Sequence, residues 1–298
     1  MRTELKYKLI ACDFDGTLLR SDNTISEHTR AVIAEYVKRG GVFMPTTGRM
    51  HASIKRRMAD IGLNGNSPIS SYQGAMIREN VTDKVLSYKP IPYAAALKIA
   101  SEAERLGLYV QAYDYDELIV SGLYDGEADR TGKDRPSGNL YGATAGRRRS
   151  FGRGYAERLG IDMTVIPGPI SEYIRTKKID CTKLLVVDGP DTMPDYLKHF
   201  SDAFPETICN TSETFMMEII TQGAGKDAAC DAVCGLLGVG IDSCMALGDS
   251  MNDYEMIKHA GFGVAMANGR DAVKAAAKYV TDSNDDDGVA KAIEKFCL

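Results

Sequence analysis

Short apolar runs alternate with longer amphipathic stretches at both ends of this chain. Lys8-Leu9-Ile10-Ala11-Cys12 is the first run, and it stops at Asp13. A continuous apolar run of that length, closed by a charged residue, predicts a strand buried on both faces. Ser26 stands where a helix N-cap belongs, and an amphipathic pattern continues to about Arg39 before Gly40 stops it. Val42-Phe43-Met44 opens a second strand that ends at Thr46-Thr47-Gly48. A helix from about Met50 and a third strand over Pro68 to Tyr72 follow. Strand alternating with helix predicts a parallel sheet with helices on both faces.

The C-terminal third repeats that rhythm. Its pattern predicts a helix over Lys226 to Leu237, a strand over Ser243 to Leu247 and a helix from Met251 to His259. A strand over Phe262 to Ala265, a helix near Ala272, a short strand at Tyr279 to Thr281 and a helix from about Asp287 complete it. The middle has another order. Pro92 opens a helix, two strands over Leu108 to Asp114 and Glu117 to Ser121 meet at an acidic turn, and a strand over Lys183 to Val187 follows. A helix near Pro194 and strands near Thr207 and Met216 complete the segment. The fold class expected is therefore α/β. A parallel-sheet core is built from residues 1–83 and 222–298, and a separate α+β domain of residues 84–221 is inserted into it. Asp125 to Gly154 is rich in Gly and Arg and poor in apolar residues, so a long loop or disorder is expected there.

Composition narrows the partners. The chain has 298 residues, 44% hydrophobic and 26% charged, as a globular protein does. A net charge of −5 gives no electrostatic steering toward nucleic acid or an anionic membrane. No apolar run approaches the roughly 20 residues of a membrane span, and Met1 to Lys6 has no apolar signal region, so a cytoplasmic location is expected. The seven cysteines include no Cys-x-x-Cys pair, and the four histidines have no ligand spacing. Buried reduced thiols are expected rather than a zinc site.

The chemistry lies in four short motifs. Asp13-Phe14-Asp15-Gly16-Thr17 follows the first strand directly. Two carboxylates at i and i+2 beyond a strand end can both face the crevice at the carboxyl edge of a parallel sheet, where such sheets bind ligands. Two acids this close repel, so their pKa values should separate: a cation holds one ionised as nucleophile while the other carries a proton for the leaving group. Thr46-Thr47-Gly48-Arg49 offers a hydroxyl and a free backbone amide at a helix start, suited to phosphate oxygens. Lys226 begins a predicted helix and can neutralise both an aspartate and an incoming phosphate. It does not belong to a nucleotide-binding P-loop, because Asp227 stands where Ser or Thr is needed and Ile220 where the first Gly must be. In Gly248-Asp249-Ser250-Met251-Asn252-Asp253, the two aspartates lie one helical turn apart, and their hard oxygens suit Mg²⁺.

With these motifs the chain resembles the haloacid dehalogenase-like superfamily, specifically its Cof-type phosphatases. The likeness is strongest over Cys12 to Leu19, Gly248 to Met256 and Tyr279 to Ala292. It implies that the α/β core is Rossmann-like, with the inserted α+β domain of residues 84–221 as its cap, and that Asp13 is the nucleophile and a magnesium ligand. Asp15 is implied as general acid and base, with its backbone carbonyl on the metal. Thr47 and Lys226 match the phosphate-orienting residues, with Gly48 and Asn252 in support. Asp249 matches a metal ligand, and Asp253 reaches the metal through a bound water. Gln73 stands where relatives usually have Asn, and Asp227 follows Lys226 where Gly is common. The implied function is Mg²⁺-dependent hydrolysis of a small phosphorylated metabolite, such as a sugar phosphate or phosphorylated cofactor, through an aspartyl-phosphate. A phosphomutase or phosphotransferase on the same core, and a non-catalytic sensor of a phosphorylated ligand, remain open on the sequence.

Overall fold

A computed structural model of the chain describes residues 5–63, 65–123, 152, 154–157 and 160–298. They form two compact units, one of residues 1–88 and 223–298, the other of residues 89–222.

The first unit starts on β1 (Leu9–Asp13), buried at every position as its apolar run requires. Helix α1 (Glu27–Lys38) follows, and Ser26 Oγ accepts the Thr29 N–H at 3.0 Å as its N-cap. Thr29, Val32, Ile33 and Tyr36 form its buried stripe. Strand β2 (Val42–Thr46) then runs parallel to β1. The single helix expected after Met50 is two short ones, α2 (His51–Lys55) and α3 (Met58–Ile61), the second closed by Gly62 in the left-handed region. Strand β3 (Pro68–Ser71) pairs parallel with β2, and a 3-10 turn at Tyr72–Gly74 reverses the chain. Two antiparallel strands follow that the hydropathy pattern did not mark, β4 (Met76–Glu79) and β5 (Val85–Tyr88). Because β5 belongs to this sheet, the first unit runs to Tyr88.

The second unit opens on helix α4 (Tyr93–Arg105), with Pro92 at its N-cap. Strands β6 (Tyr109–Asp114) and β7 (Glu117–Ser121) make the expected hairpin. The expectation for Asp125 to Gly154 lies outside the described residues except at 152 and 154, which are helical, as are 155–157. Strand β8 (Met163–Ile166) and helix α5 (Ile170–Lys177) come next, both unmarked in the sequence reading. Strand β9 (Lys183–Val187), helix α6 (Met193–Ala203), β10 (Thr207–Glu213) and β11 (Met216–Thr221) complete the unit. The strands form one sheet in the order β10-β11-β9-β6-β7-β8. Alternate residues such as Val110, Ala112, Leu184, Val186, Met217 and Ile219 join one apolar cluster with Ile99, Ile174 and Phe200 of the helices. Tyr109, Gln111 and Tyr113 alternate with that apolar set on β6 and are hydrogen-bonded in a row. A buried Lys183–Glu218 ion pair joins β9 to β11.

The chain then returns to the first unit with α7 (Lys226–Leu236), β12 (Cys244–Gly248), α8 (Tyr254–His259) and β13 (Phe262–Ala265). Helix α9 (Asp271–Ala276), strand β14 (Tyr279–Val280) and helix α10 (Gly288–Phe296) end it. The sheet order is β14-β13-β12-β1-β2-β3-β4-β5, parallel from β14 through β3. Ile10, Cys12, Phe43, Met245 and Leu247 pack with α1 and α10 in one cluster. Leu9, Ala11, Met44, Cys244 and Ala246 pack with α7, α8 and α9 in another. The period-two alternation of neighbours thus covers both faces. Strand order reverses at β1, whose neighbours are β2 and β12. The carboxyl ends of β1 and β12 therefore flank the switch point, where open α/β sheets bind ligands. All seven cysteines are free thiols, six of them buried and Cys209 half-buried.

Candidate active site

Asp13 ends β1, and Asp249 follows Gly248 at the end of β12, so the register that pairs these strands brings the first and fourth motifs together. Asp253 reaches the same point from a 3-10 turn at Met251–Asp253, where its carboxylate reaches back to the start of the turn. Its Oδ2 accepts the N–H groups of Asp249 and Ser250, each at 3.0 Å. Asp13, Asp249 and Asp253 each offer a carboxylate oxygen within 4.8 Å of the others'. Lys226 enters from the start of α7, and its Nζ donates to Asp13 Oδ1 and Asp253 Oδ1, both at 2.6 Å. Thr17 Oγ1 donates to Asp249 Oδ1 at 2.9 Å. Gly16 has φ +80°, and a Cβ there would lie 2.7 Å from Asp249 Oδ2, so any other residue in the turn after β1 would be strained and press on Asp249.

Electrostatics in this cluster are unbalanced. Two buried carboxylates, Asp13 and Asp253, and the half-buried Asp249 face one ammonium. Burial, then the negative charge of Asp253, pushes the Asp13 carboxyl well above its ordinary range, with Asp249 adding to the shift and Lys226 opposing it. Asp249 is pushed up to about 6, first by burial and then by Asp253, while its bond from Thr17 opposes the shift. Burial works against the Lys226 ammonium, but Asp13 and Asp253 outweigh it and raise its pKa above the ordinary lysine value. With every carboxylate ionised, two negative charges stay uncompensated. A divalent cation would balance them, and an all-oxygen donor set would fit a hard ion such as Mg²⁺.

The other predicted residues sit nearby with different partners. Asp13 pairs in register with Thr46, so Thr47 and Gly48 leave β2 beside the end of β1. Thr47 Oγ1 accepts the Arg49 N–H at 3.1 Å, and the residue is buried. Asn252 lies between the two aspartates of the fourth motif, and its Nδ2 donates to Gln73 Oε1 at 3.2 Å. Asp15 departs from the sequence expectation of two mutually repelling acids. Its carboxylate is 53% exposed and held by Arg49, whose Nε donates to Oδ2 at 2.7 Å and whose Nη2 donates to Oδ1. The acids that raise the Asp13 pKa are therefore Asp253 and Asp249, not Asp15.

Arg49 and Thr17 were visible in the motifs, and Gln73 as a departure from the family pattern, but none had a role assigned from sequence. Asn268, whose Nδ2 donates to the Gly16 carbonyl at 2.8 Å, stands in no motif and carried no signal.

These features define a class. Residues 10–293 match the haloacid dehalogenase-like hydrolase family, and the chain belongs to it. It is similar to a 5-amino-6-(5-phospho-D-ribitylamino)uracil phosphatase of Bacillus subtilis, 29% identical over 296 residues and covering 98% of each chain. A second B. subtilis phosphatase of the same description is 27% identical over 303 residues, covering 100% of this chain and 98% of that one. Among solved structures, a Thermotoga maritima protein is 26% identical with a TM-score of 0.75, covering 98% of both chains. A haloacid dehalogenase-like hydrolase from B. subtilis, 24% identical with a TM-score of 0.78 over 98% of this chain and 100% of that one, shares the fold. Within the family, the chain is a phosphatase of the Cof type. No helix among the described residues is long and apolar enough to cross a membrane.

Proposed function

We propose that the chain hydrolyses small phosphomonoesters with Mg²⁺, through a phosphoryl group carried on Asp13. The observation that carries this reading is the buried Lys226 ammonium bridging Asp13 and Asp253, with Asp249 inside the same cluster. Asp13, Asp249 and the backbone carbonyl of Asp15 would hold the ion, with Asp253 reaching it through a water. When bound, the ion supplies positive charge against the transferring phosphate oxygens.

The chain's own residues do the rest. An Asp13 carboxylate oxygen forms a bond to phosphorus in line with the leaving oxygen, and the ester P–O bond breaks. Asp15 gives its proton to the departing alcohol. Asp15, now ionised, takes a proton from water as that water attacks the aspartyl-phosphate. The bond from phosphorus to Asp13 breaks, and phosphate leaves. Lys226 neutralises charge on Asp13 throughout, while Thr47 and the Gly48 amide, with Asn252 in support, orient the phosphate oxygens. In the resting chain Arg49 pairs with the Asp15 carboxylate, so Asp15 leaves that pair when it takes up the proton it gives. The net charge of −5 goes with a small anionic metabolite bound locally rather than with nucleic acid. A cytoplasmic location goes with the seven reduced thiols.

The B. subtilis relatives are described as acting on a phosphorylated ribitylaminouracil. Polyol and sugar phosphates of that class are the first substrates to test. The test is phosphate release from an aryl phosphate and then from a panel of phosphorylated metabolites. Release should require Mg²⁺, stop with chelator and disappear in Asp13→Asn. Release that survives Asp13→Asn contradicts the reading.

A further inference from the structure

Beyond β3 the backbone does something it does nowhere else among the described residues. Tyr72, Gln73 and Gly74 have consecutive positive φ values of 53°, 58° and 97°. Bulky L-residues avoid this region, and neither Tyr nor Gln is among the types that tolerate it well. Such strain persists only where the surroundings over-determine it. Three contacts do so here. The Tyr72 N–H donates to the Arg49 carbonyl at 3.0 Å, and the Gln73 N–H donates to the Thr47 carbonyl at 2.9 Å. A Cβ on Gly74 would lie 2.1 Å from the Gly225 carbonyl oxygen, so the two backbones meet directly. The segment is thus pinned between the phosphate-orienting turn and the residue before Lys226.

The side chain that this geometry delivers is Gln73, only 2% exposed. Its Oε1 accepts the Asn252 Nδ2–H across 179 residues of chain. That bond engages the donor end of the Asn252 amide. The acceptor end, Asn252 Oδ1, is buried and has no hydrogen-bond partner among the described residues. A buried acceptor without a donor is unfavourable, and such atoms concentrate at functional sites.

We propose that Gln73 is a positioning residue that locks the Asn252 amide, so that Asn252 Oδ1 stands as acceptor for an O–H donor entering with the substrate or on the hydrated cation. This rests on the phosphatase reading above. The strained turn is the device that brings the Gln73 carbonyl to Asn252, and the unsatisfied oxygen is what the device presents.

The test is a double-mutant cycle of Gln73→Met, Asn252→Ala and the pair, assayed at saturating Mg²⁺ with a sugar phosphate, whose hydroxyls offer O–H donors. Gln73→Met should lower kcat/KM about tenfold, with a melting temperature close to that of the parent. The double variant should fall no lower than Asn252→Ala alone, because Gln73 acts through that residue. Multiplying losses, or an unchanged kcat/KM in Gln73→Met, overturn the proposal. Gln73→Gly, which relieves the positive φ, keeps the test open if the Met variant unfolds, and should show the same loss. Two further arms separate the sources of the donor. If it rides on the cation, Mg²⁺ affinity measured by calorimetry without substrate falls in Gln73→Met. If it belongs to the substrate, Mg²⁺ affinity holds and KM rises. The Asn252 side-chain amide resonance reads the lock independently of activity. In Gln73→Met it should move to the position of a solvated amide, and an unmoved resonance overturns the proposal. Failure of the phosphatase reading shows separately, as wild-type turnover by Asp13→Asn.

Discussion

Lys226 lies buried between two carboxylates, with a third inside the same cluster, and this decides how substitutions there will behave. Lys226→Met leaves that cluster without its ammonium. Removing one partner of a buried ion pair destabilises by about 3–5 kcal/mol. Because the Asp13 and Asp249 carboxyls already lie above their ordinary range, they can escape by taking protons at low pH. The loss in urea unfolding should therefore be larger at pH 8 than at pH 5; equal losses contradict the charge account. Asp13→Asn removes one of the crowded acids. Its kcat/KM should drop by about a thousandfold or more, while its metal-free stability does not fall. Residues at this scale were legible when they stood in a motif. The pairing of Asp15 with Arg49 was not, because the direction of a side chain beyond a strand end depends on which cation the fold brings alongside.

At the scale of elements, the turn from β1 into Gly16 and Thr17 controls the site. Gly16→Ala forces a residue with a Cβ to φ +80° and drives that Cβ to 2.7 Å from Asp249 Oδ2. Strain of this type costs about 1–3 kcal/mol. Thermal unfolding should show that loss, with weakened Mg²⁺ binding, because Asp249 must move. A variant with parental Mg²⁺ affinity would contradict the contact. Helix α1 was readable from Ser26 and its stripe because cap and periodicity agree. Strands β4 and β5 were not readable. Each has four residues, and each mixes apolar with polar ones: Met-Ile-Arg-Glu and Val-Leu-Ser-Tyr. Neighbouring strands, not local pattern, decide such segments. The strain at Tyr72 and Gln73 was likewise hidden, since nothing in those two side chains favours positive φ.

At the scale of the whole chain, the α/β organisation was legible in the change of rhythm along it, because strand–helix alternation survives summation over many elements. The unit boundary moved to Tyr88 because a hairpin of weak local signal extends the core sheet. Proton linkage is also a property of the whole folded state. Asp249 is raised in the folded state to about 6, so between the ordinary carboxylate range and that value the folded chain holds a proton that the unfolded chain has released. Raising pH through this window therefore removes stability from the metal-free protein. Melting temperature should fall less steeply with pH in Asp249→Asn, which keeps only the raised Asp13 carboxyl, than in the parent, and added Mg²⁺ should raise the parent's more at pH 7 than at pH 5. A Mg²⁺ shift independent of pH would contradict the linkage.

The most direct measurement traps the phosphoryl group where it is formed. The enzyme is quenched in acid while turning over an aryl phosphate with Mg²⁺. Borohydride then reduces any acyl phosphate to the alcohol, and the peptides are read by mass spectrometry. The account predicts reduction at Asp13 alone, absent when Mg²⁺ is withheld. Reduction at another carboxylate, or none at Asp13 during active turnover, contradicts it.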